Sequence, residues 1–185
     1  TSEYWRHAFA TALIARALAR RGELDPNEAF VSGLMHDVGQ LVLATYYPIE
    51  AGRAIALAQA KGLDALAAET EVMGMGHPQI GAMLVKHWYF PAHIEVAIAQ
   101  HHEPQPSAQG RWDHLGATIH AAEALAHALD DGGSVKAAIA AMHPPIWREL
   151  AQGCRVIDFG TQGAAAVTGS ATWQAAPTPH WQIRL

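Results

Sequence analysis

Glycine and proline cut most of this chain into short segments, and within nearly every segment apolar residues, many of them Ala, recur three and four positions apart. That spacing follows the helical turn of about 3.6 residues rather than the alternation of a strand, so it restricts the chain to an all-α bundle. The chain has 185 residues, 50% of them hydrophobic and 16% charged. One such domain can bury a core; two full domains do not fit.

Nothing breaks a helix from Glu3 to Arg21, and Gly22 supplies a stop. Asp25-Pro26-Asn27-Glu28 reads as the next start, with Asp25 as cap, Pro26 in the first turn and Glu28 placed for a capping box. Gly39 is expected to interrupt that helix. An apolar segment from Leu41 to Tyr47 follows, Pro48 closes it, and an Ala-rich helix runs from Ile49 to Ala60. Further helices are predicted over Asp64 to Met73, 78–88, Pro91 to His102 and Arg111 to Leu129, with a shorter one capped by Ser134 and ended by Pro144-Pro145. The helical domain is assigned to residues 1–153. Residues 154–185 mix Gly, Ala, Ser, Thr and Pro with two Trp and read as an irregular tail, with a strand pattern only at Arg155 to Phe159. The chain opens without Met inside an apolar-periodic stretch, as a piece of a longer protein would.

The net charge of −5, from 12 Lys and Arg against 17 Asp and Glu, leaves no basic surplus for a phosphate backbone, which argues against nucleic acid as a partner. The single cysteine, Cys154, cannot form an internal disulfide. No leader and no long apolar run is present, so the expectation is a soluble chain in the reducing cytoplasm with no membrane partner.

The chemistry lies in the 12 histidines and in where they fall. Glu3 and His7 share a helical stripe with Ile14 and Leu18, and Asp37 shares one with Phe30 and Leu34 while His36 approaches from the side. His77 aligns with Gly81, Leu84 and Trp88. His101 follows Ile94 and Ala97, His102 follows Ile98, and Glu123 lies between Ile119 and Ala126. An unpartnered carboxylate in such a position costs several kcal/mol or must protonate, so eight ionisable groups on apolar faces need one another or a cation. Convergence on a divalent metal satisfies them together, and the mixed N and O donor set suits iron, manganese or zinc. His87, His93, His114, His120, His127, His143 and His180 lack paired spacing and read as solvated or capping side chains.

The segment Ala29-Phe30-Val31-Ser32-Gly33-Leu34-Met35-His36-Asp37-Val38-Gly39-Gln40-Leu41-Val42-Leu43 resembles the signature of the HDOD domain, the HD-related output domain of bacterial signalling proteins. Glu69, Glu71, Gly74, His77, Ile80, Gly81, Ala82, Leu84, Trp88 and Pro91, then Ile98, His101 and His102, fit the same pattern, as do Trp5-Arg6-His7 and His120-Ala121-Ala122-Glu123. The resemblance implies an HD-superfamily helical bundle that relays signals through contacts with an upstream sensor or partner proteins. It also implies metal ligands at Glu3, His7, His36, Asp37, His77, His101, His102 and Glu123. The metal-dependent members of the superfamily hydrolyse phosphoesters, which makes a phosphohydrolase the alternative, while a diiron redox or oxygen-binding centre uses the same donor types. The HD-GYP enzymes that act on cyclic di-GMP carry a Gly-Tyr-Pro element after the histidine pair and usually a Lys at the position of Gln40. Here Glu103 leads into Pro104-Gln105-Pro106-Ser107-Ala108-Gln109-Gly110, so cyclic di-GMP hydrolysis is not expected.

Overall fold

The computed structural model describes residues 2–20, 24–106 and 113–130. Eight helices and no strand occur among them: α1 (Ser2–Ala19), α2 (Pro26–Met35), α3 (Val38–Tyr46), α4 (Pro48–Lys61), α5 (Ala65–Met73), α6 (His77–His87), α7 (Ala92–Ala99) and α8 (His114–Asp130). The domain boundary at 153, the tail from 154, the strand pattern at 155–159 and the helix expected after Ser134 lie outside the described residues. None of the described helices is long and apolar enough to cross a membrane.

Local chemistry sets the helix ends. The Asp25 carboxylate caps α2 by accepting from the backbone N–H groups of Asn27 at 2.7 Å and Glu28 at 3.3 Å. The Glu28 carboxylate itself lies 3.1 Å from His93 Nε2 on α7. Asp64 caps α5 through the Ala67 N–H at 2.7 Å. Gly62 and Gly74 close α4 and α5 in the left-handed region, at φ 66° and 79°, where a side chain would be strained.

Two boundaries differ from the sequence expectation. The interruption falls at His36-Asp37, not at Gly39, which lies inside α3. Gly39 serves packing instead: a Cβ there would meet the backbone carbonyl of His77 at 2.0 Å, so only glycine lets α3 approach the start of α6 this closely. α7 ends at Ala99, which leaves His101 and His102 in the turn beyond it.

α1 packs on α2 and α8, α3 on α6, α6 on α7, and α4 pairs with α5 at the flank. The core is built from small and branched residues, among them Ala15, Ala29, Val85, Ile94, Ala97, Ile98, Ile119 and Ala122. Ile98 and Ile119 are fully buried, each contributing on the order of 2 kcal/mol of apolar burial. Alanines and Gly33, whose Cβ would lie 2.9 Å from Ala12 Cα, let α1 and α2 touch along their backbones. This close packing directs the ends of α2, α6 and α7 and the middle of α8 to one centre.

Candidate metal centre

His36 and His101 are placed by the same device. Each follows the end of a helix and donates its ring Nδ1–H to the carbonyl three residues back, His36 to Gly33 and His101 to Ile98, both at 2.7 Å. The helix C-terminus gains a partner for an otherwise orphaned carbonyl, and the ring's Nε2 is turned inward. His77, the first residue of α6, is held differently. The Glu69 carboxylate accepts both its ring Nδ1–H and its backbone N–H through one oxygen, at 2.7 Å each. On α1, His7 Nδ1 meets Asp130 Oδ2 at 3.1 Å.

The inward atoms converge on Asp37, at the start of α3. Its Oδ1 lies 3.2 Å from His77 Nε2 and 3.6 Å from His101 Nε2, and its Oδ2 lies 3.4 Å from His36 Nε2. His77 Nε2 is 2.9 Å from His102 Nε2, and His102 Nδ1 is 3.4 Å from Glu123 Oε1. Three sets of donors each lie within 4.8 Å of one another: Asp37, His77, His101 and His102; His7, His36 and Asp37; and His36, His101 and Glu123. Asp37, His36 and His101 each belong to two sets, so the three form one continuous cluster.

Burial sharpens the electrostatics. His36, His77 and His101 are essentially inaccessible, and Asp37 and Glu123 nearly so. Burial pushes His36 below its ordinary pKa and His102 down to about 4, so both rings are neutral. Burial also opposes charge on His77, but the Asp37 and Glu69 carboxylates beside it outweigh that and raise the ring to about 9. Burial works against the two carboxylates as well. The surrounding imidazoles prevail, holding Asp37 well below the usual range and Glu123 down to about 2.

The Nε2 atoms of His7, His36 and His101 and the Oδ1 of Asp37 are buried without a hydrogen-bond partner. A buried polar atom without a partner is costly, and these four fall within one cluster. Neighbouring donors on a single metal ion, with bonds of about 2.1 Å, lie roughly 3 Å apart, close to the 2.9 to 3.6 Å spacings above. Imidazole Nδ1–H groups anchored to carbonyls and carboxylates, with Nε2 left as the donor, are the usual second layer of a metal site. The buried His/Asp cluster is therefore compatible with a divalent metal.

Seven residues singled out from the sequence come together here: His7, His36, Asp37, His77, His101, His102 and Glu123. Glu3 does not. It is exposed on the first turn of α1 and belongs to none of the three sets. The buried face of α1 runs through Ala8, Thr11, Ala15 and Leu18. His7 sits at the edge of that face, and one turn back a four-residue step rotates Glu3 roughly 40° further from the core. Asp37 likewise does not share a helix face with Phe30 and Leu34, because α2 ends before it.

Four contributors went unrecognised as site residues. Glu69 is buried behind His77. His120 Nδ1 meets His101 O at 2.8 Å, tying the His101-His102 turn to α8. His127 lies 3.7 Å from Glu123 and stacks its ring on that of His7, with centroids 4.3 Å apart. Asp130 holds His7. The four-residue step from Glu123 to His127 was a readable signal; the others meet partners 8, 19 and 123 residues away, outside their own helices.

A helical bundle that gathers an adjacent His-Asp pair and further histidines from several helices at one buried centre is an HD-type domain. Residues 1–104 match the HDOD domain, and this chain belongs to the HDOD family. A curated relative, an uncharacterized protein of Treponema pallidum (strain Nichols), is 25% identical over 130 residues, which cover 69% of this chain and 25% of the relative. Among solved structures, an HDOD domain protein with unknown function from Geobacter sulfurreducens is 26% identical with a TM-score of 0.69, over 83% of this chain and 54% of that one. A candidate phosphohydrolase from Shewanella amazonensis SB2B is 25% identical with a TM-score of 0.66, over 82% and 59%. The MmoQ response regulator from Methylococcus capsulatus str. Bath is 26% identical with a TM-score of 0.62, over 85% and 58%. The chain thus spans a quarter of the curated relative and little more than half of each of these solved chains.

Proposed function

We propose that this chain is the output module of a bacterial, cytoplasmic signal-transduction protein. A mono- or dinuclear metal centre sits at its core, and it relays the state of an upstream sensor by protein contacts. His7, His36, Asp37, His77, His101, His102 and Glu123 hold the metal, with iron the first expectation and manganese or zinc the alternatives. The observation that carries this reading is the set of buried, unpartnered donors, three Nε2 atoms and Asp37 Oδ1, in one cluster of a domain whose family is established.

When bound, such an ion supplies positive charge that neutralises the carboxylates and Lewis acidity toward an oxygen ligand. The chain's own residues supply the rest. The Gly33 and Ile98 carbonyls and Glu69 fix the tautomers of His36, His101 and His77, and Asp37 is held nearly out of solvent among the imidazoles. Positioning groups for a phosphoester are sparse. Position 40 is Gln, the segment from Glu103 to Gly110 has neither Lys nor Arg, and Arg6, at the edge of the cluster, has its Nε 3.0 Å from Asp130. These features favour an output role over turnover.

The second reading is a metal-dependent phosphohydrolase. The donor set suits it, and so does the likeness to the Shewanella amazonensis protein described in those terms. Metal analysis of folded protein purified without chelators tests the centre. Stoichiometric metal in the parent, lost in the double variant His36→Ala, Asp37→Ala, is expected. A folded parent without metal would reduce the cluster to a hydrogen-bonded relic.

A further inference from the structure

Four of the five histidines in the cluster differ in how their Nδ1 is anchored. His36 and His101 take their Nδ1 partners from the carbonyl three residues back in their own helices, and His77 takes Glu69, eight residues away. His7 is different: its Nδ1 partner is Asp130, 123 positions away, on the last turn of α8. The other Asp130 oxygen is 3.0 Å from Arg6 Nε, so the carboxylate bridges two consecutive residues of α1. An imidazole has two tautomers, and the one present is set by the acceptor that its other nitrogen finds. His7 Nε2 is buried without a hydrogen-bond partner, and it belongs to the donor set with His36 and Asp37.

We propose that Asp130 is a positioning residue that holds His7 as the Nδ1–H tautomer, making the His7-His36-Asp37 part of the centre dependent on the clasp between the ends of α1 and α8. The proposal rests on the metal reading above and adds a route of regulation to it. Asp37 and His77 are fixed by α3 and α6, and the His101-His102 turn is tied by His120 to the middle of α8, away from the Asp130 end. His7 and Glu123 come from α1 and α8 themselves, and His127 on α8 packs against both. Movement of the last turn of α8 relative to α1 therefore acts first on His7, the residue this turn clasps, which gives a signalling module a mechanical link between a helix terminus and its buried charge.

The test uses Asp130→Ala and Arg6→Gln in the full chain. In the metal-free protein, ¹H–¹⁵N correlation of the imidazoles reads the tautomer directly. Nδ1–H is expected for His7 in the parent and loss of that preference in Asp130→Ala, with the signals of His36 and His101 unchanged. Titration with manganese(II) should show the tighter part of the uptake retained and the weaker part lowered ten- to a hundred-fold in Asp130→Ala, with a smaller fall in Arg6→Gln. Unchanged tautomer or unchanged manganese affinity in Asp130→Ala overturns the proposal alone. Parent protein that binds no manganese overturns the metal reading, and this proposal with it.

Discussion

One oxygen of Glu69 accepts two N–H groups of His77, the backbone amide and ring Nδ1, at 2.7 Å each. A single carboxylate thereby caps the start of α6 and sets the ring that faces Asp37. Glu69→Ala leaves a buried amide unpaired, at a cost of about 1–3 kcal/mol, and frees the His77 ring to rotate. The expected result is a lower Tm together with a fall in metal affinity of about 10- to 100-fold, measured against a competing chelator. Glu69→Gln, which keeps an accepting oxygen, should lie between the two. A Glu69→Ala protein with parental affinity would show that the ring is held by its other neighbours.

Gly39 and Gly52 make a matched pair for testing helix glycines. A Cβ at Gly39 would collide with the His77 backbone carbonyl at 2.0 Å, whereas one at Gly52, on the exposed face of α4, meets nothing within 4 Å. Gly39→Ala should destabilise by about 1–3 kcal/mol or more and displace the start of α6, so metal affinity falls with stability. Gly52→Ala should stabilise by roughly 0.5–1 kcal/mol, since it replaces a helix-interior glycine without a clash. Chemical denaturation of both variants decides the point, and equal effects would contradict the close α3–α6 contact.

These two glycines also show where sequence reading succeeds and where it stops. Helical period, the Asp25 cap and the stops at Gly62 and Gly74 are local chemistry, and the chain folds as they direct. Gly39 carries the same letter but acts through a contact 38 residues away, with His77, so it looked like a break and is a packing surface. The real break, at His36-Asp37, has no glycine or proline to mark it; its signature is the His36 ring on the Gly33 carbonyl. Of the seven candidate residues brought together, His7, His77 and Glu123 were marked by charge on an apolar helix face, whereas His36, Asp37, His101 and His102 lie past helix ends and were marked by the HDOD-like motif. Glu3 misled because one helical turn is not an exact repeat. Glu69 and Asp130 stayed hidden as site residues because no periodicity encodes a partner in another helix.

Metal-free protein should be most stable close to pH 6.5, with two unlike limbs. His77 is raised to about 9, so its contribution is fully present below 6.5 and is lost as pH climbs through 9. His36 and His102 are lowered, the latter to about 4. The unfolded chain takes up protons at these rings below 6.5 while the folded one does not, so stability falls as pH drops toward 4. Asp37 and Glu123, both depressed, contribute above the ordinary carboxylate range, and their share is lost at still lower pH, for Glu123 through about 2. Thermal melts in chelator from pH 4 to 9 measure both limbs. His77→Gln should flatten the alkaline limb and leave the acid limb in place; a parental Tm that rose steadily to pH 9 would contradict the raised His77.

The final prediction concerns turnover of cyclic di-GMP. Donors that hold a metal are not sufficient for phosphodiester hydrolysis, because a phosphate misplaced by about 1 Å can lower the rate roughly 100-fold. A hydrolase of this kind needs cations aimed at the phosphate. Gln40 supplies none, Glu103 to Gly110 supplies none, and Arg6 is held 3.0 Å from Asp130 by a carboxylate that also orients His7. Recruiting Arg6 for a substrate would loosen the clasp on His7 and so weaken the centre it was meant to serve. Metal-loaded protein is therefore expected to hydrolyse cyclic di-GMP no faster than the His36→Ala, Asp37→Ala double variant, as followed by chromatography of the linear product. Turnover well above that baseline, abolished in the double variant, would move the phosphohydrolase reading into first place. Gln40→Lys, which restores the expected cation beside Asp37, would then be the variant to raise the rate further.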